Sequence, residues 1–271
     1  QVIGQGKARN YKNLDELNRV SAWIKEQMRL LGVPCHYQNF TANQQIYRNV
    51  VCSLNVGRPD RVIVGAHYDV FGDQDGADDN ASGVAGVIET ARILAEQKAK
   101  LPNNVDFVFY SLEEPPFSKT EQMGSYVHAK SVQSQKDKIK GVYILEMIGF
   151  FSEQPIQSYP VGLKWIYPTH GNFIATVSNV SSRDLGAGYC TAMQQLDLLE
   201  CQRLVAPSFA NAFDFSDHLN YWEFDIPAVM ITDTAFYRNS HYHTKADRLA
   251  TLNLSKMANV IDGLVQHLLK P

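Results

Sequence analysis

The sequence predicts an α/β protein, a three-layer αβα sandwich around a mixed, mostly parallel central sheet. Apolar runs such as Val62-Ile63-Val64-Gly65-Ala66 and Val105-Asp106-Phe107-Val108-Phe109-Tyr110 alternate with segments whose apolar residues recur at helical spacing. That alternation places helices on both faces of a largely parallel sheet. Two adjacent strand-like runs near the start read as a hairpin, which makes the sheet mixed. No linker-like run of Pro, Gly or Ser interrupts the 271 residues, so one domain, 1–271, is expected.

Taken in order, Asn13 with Glu16 three residues on has the form of a capping box. Leu14, Leu17, Val20, Trp23, Ile24, Met28 and Leu31 follow at helical spacing, and Gly32 ends that helix. Residues 35–40 and 48–55 read as strands about a turn near 41–44, and 60–66 as a third strand. From Ala81 the apolar positions Val84, Val87, Ile88, Ala91 and Leu94 return to a helical period. A buried strand at 105–110, a helix at 124–131 and a strand at 141–145 follow. The stretch 147–171, with Pro155, Pro160 and Pro168, reads as a long loop of the kind that carries function. Residues 172–177 look extended, 184–196 helical, 198–205 strand-like and 217–224 a short helix. A core strand at 227–231 and an amphipathic helix at 254–269 close the chain.

A formal net charge of −3 without clustered Lys and Arg argues against a nucleic-acid surface, and Lys136, Lys138 and Lys140 read as a solvated loop. No apolar run approaches the roughly 18 residues of a membrane helix. The chain begins Gln1-Val2 without methionine or a signal-like core, so a preceding segment is expected to have been removed or left out, and export stays open. The four cysteines lack CxxC spacing. Cys35 and Cys52 lie equidistant from the hairpin turn and would form a cross-strand pair, and Cys190 with Cys201 could close a small loop. Buried free thiols are the alternative; bridges would favour an oxidising compartment, periplasmic or extracellular.

Chemistry concentrates in Arg61 to Gly83, where the strand at 62–66 delivers His67 and Asp69 and a Gly- and Asp-rich loop brings Asp78 and Asp79 to a helix start. Histidine and carboxylates crowded there are the ingredients of a metal site. In sheets of this class ligands bind at the carboxyl ends of the strands. Glu113, Glu114 and Glu146 each follow a predicted strand, and His243 lies in the loop after another. Any one of them is ordinary as a turn or ion-pair residue. Together they would repel at one rim unless cations neutralised them.

In order and context, His67 with Asp69, GADDNASG, SLEEPPF followed by MGS, LEMIGF, SDH, and HYHT with Asp247 resemble the zinc aminopeptidases of peptidase family M28, clan MH, from about Arg48 onward. The resemblance implies a zinc-exopeptidase-like fold and two Zn²⁺ ions bridged by Asp79. His67 and Glu146 would complete one zinc site, and Glu114 and His243 the other. Glu113 would be the general base, with a cis peptide between Asp79 and Asn80. Glu146 stands where Asp is commoner, and His241 rivals His243.

Three carboxylates and two neutral imidazoles would leave two zinc ions a net charge of +1, which a bridging hydroxide cancels. Asp69 would hold the outer nitrogen of His67, with a turn-capping role as its alternative, while Ser216, Asp217 and Asp247 are weaker supporting candidates. The expected activity is removal of an N-terminal residue from peptides. Its side-chain pocket would draw on the 147–171 loop, Phe215, Tyr221 and Tyr237. The alternatives are a single-zinc glutaminyl cyclase, which commonly has Trp where this chain has Tyr242, and a non-catalytic binding domain that kept the fold.

Overall fold

The computed structural model describes residues 2–3, 7–159, 163–206 and 216–270. Its strands are β1 (Cys35–Ala42), β2 (Gln45–Leu54), β3 (Arg61–His67), β4 (Asn104–Tyr110), β5 (Ile139–Glu146), β6 (Phe173–Ser178), β7 (Glu200–Val205) and β8 (Ala228–Thr232). They form one eight-stranded sheet in the order β1-β2-β4-β3-β5-β8-β6-β7. The central strands β4, β3, β5 and β8 run parallel, and the β1–β2 hairpin joins β4 antiparallel. At the other edge β6 pairs antiparallel with β8 and parallel with β7.

Side chains alternate across this sheet with a period of two. Val62, Val64, Ala66, Phe107, Phe109, Leu145 and Ile231 enter one core, together with α1 (Leu14–Leu30), α2 (Gly83–Glu96), α4 (Arg183–Leu196) and α6 (Leu254–Leu268). Ile63, Val108, Tyr110, Val142, Ile144 and Ala228 face the other way, against α3 (Gly124–Val132) and α5 (His218–Trp222). Strands buried on both sides explain the nearly continuous apolar runs. The αβα sandwich is as expected from the sequence.

The capping box does not form. Asn13 occupies the N-cap of α1, but its side-chain amide donates to the Ala8 carbonyl, and the buried Glu16 binds Arg19 at 2.6 Å. A charged partner on the same helix face competes effectively with a reach back to the cap. The helix at 81 also starts later: a wide turn, Ala77–Ser82, precedes α2 and carries non-helical Asp79 and Asn80. Among the described residues no helix is long and apolar enough to cross a membrane.

The hairpin has the symmetry its cysteines imply. Asn43 and Gln44 adopt φ of 45° and 64°, a two-residue turn of the kind that suits strand twist, and this sets Cys35 directly opposite Cys52. Both Cys35–Cys52 and Cys190–Cys201 are disulfides. The first cross-links the edge strand β1 to β2 across a sequence separation of 17. Replacing both Cys35 and Cys52 by Ser should therefore lower unfolding free energy in urea by about 2–4 kcal/mol, while enzymatic and metal-binding measurements on the folded protein stay near the parent. A loss under about 0.5 kcal/mol would show that strand pairing alone holds the edge.

Candidate metal centre

Three strand ends and two loops meet at one rim of the sheet. His67 ends β3 and Glu146 ends β5, while Glu113 and Glu114 follow β4. Asp79 comes from the turn before α2, and His243 from the loop after β8. The carboxylate of Asp79 divides between the two imidazoles: Oδ1 lies 3.3 Å from His67 Nε2 and Oδ2 3.1 Å from His243 Nε2. Glu146 Oε1 lies 3.3 Å from His67 Nε2, and Glu114 Oε2 3.2 Å from His243 Nε2. Glu113 stands slightly back, with Oε2 3.9 Å from His67 Nε2. The sequence-predicted residues are thus brought into two half-sites that share Asp79.

The donor set fits divalent metal. His243 Nε2 is buried and has no hydrogen-bond partner, although two carboxylate oxygens lie beside it at the wrong angle for one. His67, Asp79 and Glu114 offer ligand atoms within 4.8 Å of one another, all from buried residues. Each glutamate has one oxygen engaged by the protein and one facing an imidazole: the Phe71 amide donates to Glu114 Oε1 at 3.1 Å, and Ser216 Oγ to Glu146 Oε2 at 2.5 Å. Imidazole and carboxylate donors in this number suit zinc.

Supporting carboxylates fix the loops. The amides of Asp78 and Asp79 donate to the two oxygens of Asp247 at 2.8 and 3.0 Å. Asp78 accepts from the Gly149 amide at 3.0 Å and from Asn239 Nδ2 at 2.8 Å, tying the Asp79 turn to the segment after β5 and to the His243 loop. Asn80 bridges the same parts, donating to the Leu145 carbonyl and accepting from the Met147 amide. The Asp79–Asn80 peptide is cis, as the resemblance implies. Left-handed backbone recurs at this rim, at Leu112 (φ 63°), Met147 (φ 50°) and His243 itself (φ 56°), where the surrounding bonds hold conformations that L-residues otherwise avoid.

Two expectations are corrected, for Asp69 and Tyr221, while the contacts favour His243 over its rival His241 as expected. Asp69 does not bond the outer nitrogen of His67, which lies 3.4 Å away and has no hydrogen bond; its oxygens instead accept the amides of Glu113 and Glu114, each at 3.2 Å. Two amides held at once are a better match for a carboxylate than one off-axis ring nitrogen. His241 packs edge-on to Phe150 and makes none of the contacts of His243, which stacks against Phe71 and Tyr242 with ring centroids 4.2 and 3.8 Å away. Tyr221 is no pocket residue: its hydroxyl meets those of Tyr110 and His128 Nδ1 in the core beneath α5. Phe215 lies outside the described residues.

Beside Asp79, Glu113 and Glu146 opens a pocket floored by the sheet where, among the described residues, no helix covers it. Ala175, Val177, Met230 and Thr232 rise from β6 and β8, and Gln202 and Leu204 from β7. Tyr159, Leu163 and Tyr167 of the long loop, with Phe236, Tyr237 and Tyr242, form its walls. Sequence reasoning gave Phe71 and Asn239 no part in the site, their sole signal being adjacency to motif residues, and weighed Tyr242 only as the position where a cyclase commonly has Trp.

The sequence profile described as Peptidase family M28 matches residues 49–267. The chain belongs to peptidase family M28. It is 40% identical over 267 residues to the uncharacterised Escherichia coli (strain K12) protein YfbL, covering 95% of this chain and 81% of that one. It is 26% identical to a leucine aminopeptidase 1 of Ajellomyces capsulatus over 76% of this chain, but that match spans 52% of the fungal protein. Among solved structures it resembles the Legionella pneumophila LapA aminopeptidase (TM-score 0.75, 19% identity, 98% of this chain and 68% of that one). It also resembles the Porphyromonas gingivalis glutaminyl cyclase (TM-score 0.68, 18% identity, 93% and 89%). At these identities the two structures share the fold with this M28 member.

Burial and close neighbours shift the titration of the groups at this rim. Burial opposes charge on His67, but Glu146, Glu113, Asp69 and Asp79 outweigh it and raise its pKa well above the usual value. Burial likewise opposes charge on His243, while Asp79 and Glu114 raise it to about 9. Burial, with Asp79 adding, pushes Glu114 up to about 8. Burial also raises Glu113, His67 opposing and Glu114 and Glu146 adding. Asp79 runs opposite: burial would raise it, yet its two imidazole partners hold it below the ordinary carboxylate range.

An imidazole with a raised folded-state pKa contributes stability below its unfolded value and loses it as pH climbs through the folded one, a window of 6.5 to about 9 for His243. The raised Glu114 penalises the fold increasingly between 4.5 and about 8, in the same direction. Chelator-treated protein should therefore melt at progressively lower temperature between pH 6.5 and 9. Zinc binds the deprotonated ligands, so its stabilising increment should grow across that range. Thermal midpoints with chelator and with zinc check this; an increment that shrinks with rising pH would contradict it.

Proposed function

We propose that the protein is a zinc-dependent aminopeptidase that hydrolyses the bond after an apolar N-terminal residue of a peptide. The division of the Asp79 carboxylate between two separate imidazoles supports a two-ion reading above all. His67 and Glu146 would hold one zinc, His243 and Glu114 the other, with Asp79 between them. When bound, the two ions would acidify a water and polarise the scissile carbonyl. Glu113 lines the pocket with its Oε2 3.9 Å from His67 Nε2, and it would accept the water's proton and return it to the departing amine. Asp69 keeps that base in position by gripping its backbone amide.

The pocket favours aliphatic or aromatic side chains, since Val177, Met230 and Leu204 offer no charge to pair. A peptide substrate and an oxidising compartment, periplasmic or extracellular, follow from the same reading, the latter from the two disulfides. A single-zinc glutaminyl cyclase is the second reading, favoured by the compact group His67, Asp79 and Glu114, which could hold one ion.

Zinc-loaded protein should release free leucine, methionine or phenylalanine from aminoacyl anilides and lose that activity on chelation. Glu113→Gln should bind zinc as the parent does while turning over about 10²- to 10⁴-fold more slowly. Normal turnover in that variant would remove Glu113 as the base. A pyroglutamyl product from a Gln-peptide, with no amino acid released from the anilides, would decide for the cyclase. A zinc stoichiometry of one would remove the two-ion site.

A further inference from the structure

The M28 match begins at residue 49, yet a residue well before it reaches the metal loop. Arg9 is 2% exposed, and among the described residues its guanidinium donates to main-chain carbonyls and pairs with no carboxylate. Nε binds the carbonyl of Tyr68, the residue between His67 and Asp69, at 2.8 Å. Nη2 binds the carbonyl of Gly76 at 2.7 Å, and Nη1 that of Asp75. The Gly76 carbonyl also accepts from the Ala81 amide, closing the turn that presents Asp79. One planar group thus joins both ends of loop 68–76, which connects the His67 strand end to the Asp79 turn. Asn10 holds the middle, its Nδ2 donating to the Gly72 carbonyl at 2.6 Å.

Gly76 shows how closely the clamp fits: a Cβ there would lie 2.2 Å from the Asp79 carbonyl oxygen and 3.1 Å from Arg9 Nη2, at a φ of 57°. Burial lowers the Arg9 pKa, while Asp79, Asp69, Asp247 and Glu114 oppose that shift. The guanidinium therefore also places fixed positive charge behind a cluster of acids.

We propose that Arg9 is a positioning residue that builds the metal site before metal arrives, by spanning loop 68–76 with a single guanidinium. The inference rests on the metal-binding reading above. A lysine could supply the charge but not bonds to the carbonyls at both ends of the loop. The loop's conformational freedom would then be lost only on zinc binding, at the expense of affinity.

Stripped parent and Arg9→Lys protein are titrated with zinc against a chromophoric chelator, with circular dichroism confirming that the stripped variant is folded. Zinc affinity should fall about 10- to 100-fold, as it does when groups that orient ligands are lost. A merely structural arginine would lower the metal-free melting temperature and leave zinc affinity of the folded variant within twofold, which overturns the proposal. In the stripped parent the bonded amides of Phe71 and Ala77, which donate to Glu114 and to the Asp247 carbonyl, should remain protected from hydrogen exchange; exchange of both at the rate of an unstructured peptide would show that metal, not Arg9, holds the loop. That second measurement decides if Arg9→Lys does not fold. A parent that binds no zinc sinks the metal reading, and the exchange result still judges the clamp.

Discussion

The structure depends on keeping many carboxylates buried at one rim of a sheet. Asp69, Asp78, Asp79, Glu114, Glu146, Asp217, Asp233 and Asp247 are all nearly or wholly buried, and in their midst only Arg9 and Arg238 bring equally buried guanidinium charge among the described residues. Asp217 accepts no main-chain amide among the described residues and burial raises its pKa to about 7, but the other carboxylates receive two kinds of partner. Asp69, Asp78, Asp233 and Asp247 accept main-chain amides from Glu113, Glu114, Gly149, Phe150, Ala235, Asp78 and Asp79, and each such bond anchors a loop. Asp79 and the inward oxygens of Glu114 and Glu146 receive imidazoles instead. Amide donors favour the anion, yet burial still raises the pKa of Asp78 well above the usual carboxylate value, that of Asp233 to about 6, and that of Asp247 as well. Acids facing only imidazoles need protons or metal, and the raised pKa values of His67, His243 and Glu114 express that need.

The sheet supplies the convergence. Parallel neighbours β3, β4 and β5 end at the same level, so His67, Glu113, Glu114 and Glu146 arrive together without any long-range design of the loops. The reversal of direction between β8 and β6 then leaves one face of β8, β6 and β7 beyond the reach of α5. An uncovered sheet face beside the metal rim becomes a pocket once the long loop folds over it. Arg238 fastens that loop: it donates to Gln157 Oε1 at 2.8 Å and to the Phe173 carbonyl at 2.8 Å, linking the pocket wall to β6.

The fold was largely legible because its core strands are buried on both faces and its helices are strongly periodic. The seven candidate site residues came from motif order, and the structure gathers them. What stayed hidden depended on partners distant in sequence. Nothing near Asn13 signals that Ala8 would take its amide, and nothing near Asp69 says that it would hold the backbone two strands' length away rather than its neighbour His67. Arg9 reads as one polar residue in a polar leader, since its three carbonyl acceptors lie some sixty residues downstream. Left-handed backbone at Leu112, Met147 and His243 is equally silent, because none of these residue types advertises a turn.

Hydrolysis and cyclisation can share one cage of imidazoles and carboxylates, so the difference must lie in what the substrate's side chain meets. A cyclase must fold a glutamine back so that its own amine attacks the side-chain amide, and the pocket must then satisfy a buried amide's donors and acceptors. Among the described residues the floor is Ala175, Val177, Met230 and Leu204 with the polar Thr232 and Gln202, and Gln202 already donates to Glu200; Gln157, Arg203, Ser216 and Thr234 line the pocket around it, Gln157 already bonded to Arg238. An amide pressed against that floor would lose hydrogen bonds to water with few replacements, whereas an aliphatic or aromatic side chain gains from the same burial. On the proposed reading, binding energy of that kind, drawn from a side chain remote from the reacting bond, would hold the scissile carbonyl beside Glu113 and the candidate metal ligands. The apolar floor therefore weighs toward an extended N-terminal residue and attack by water.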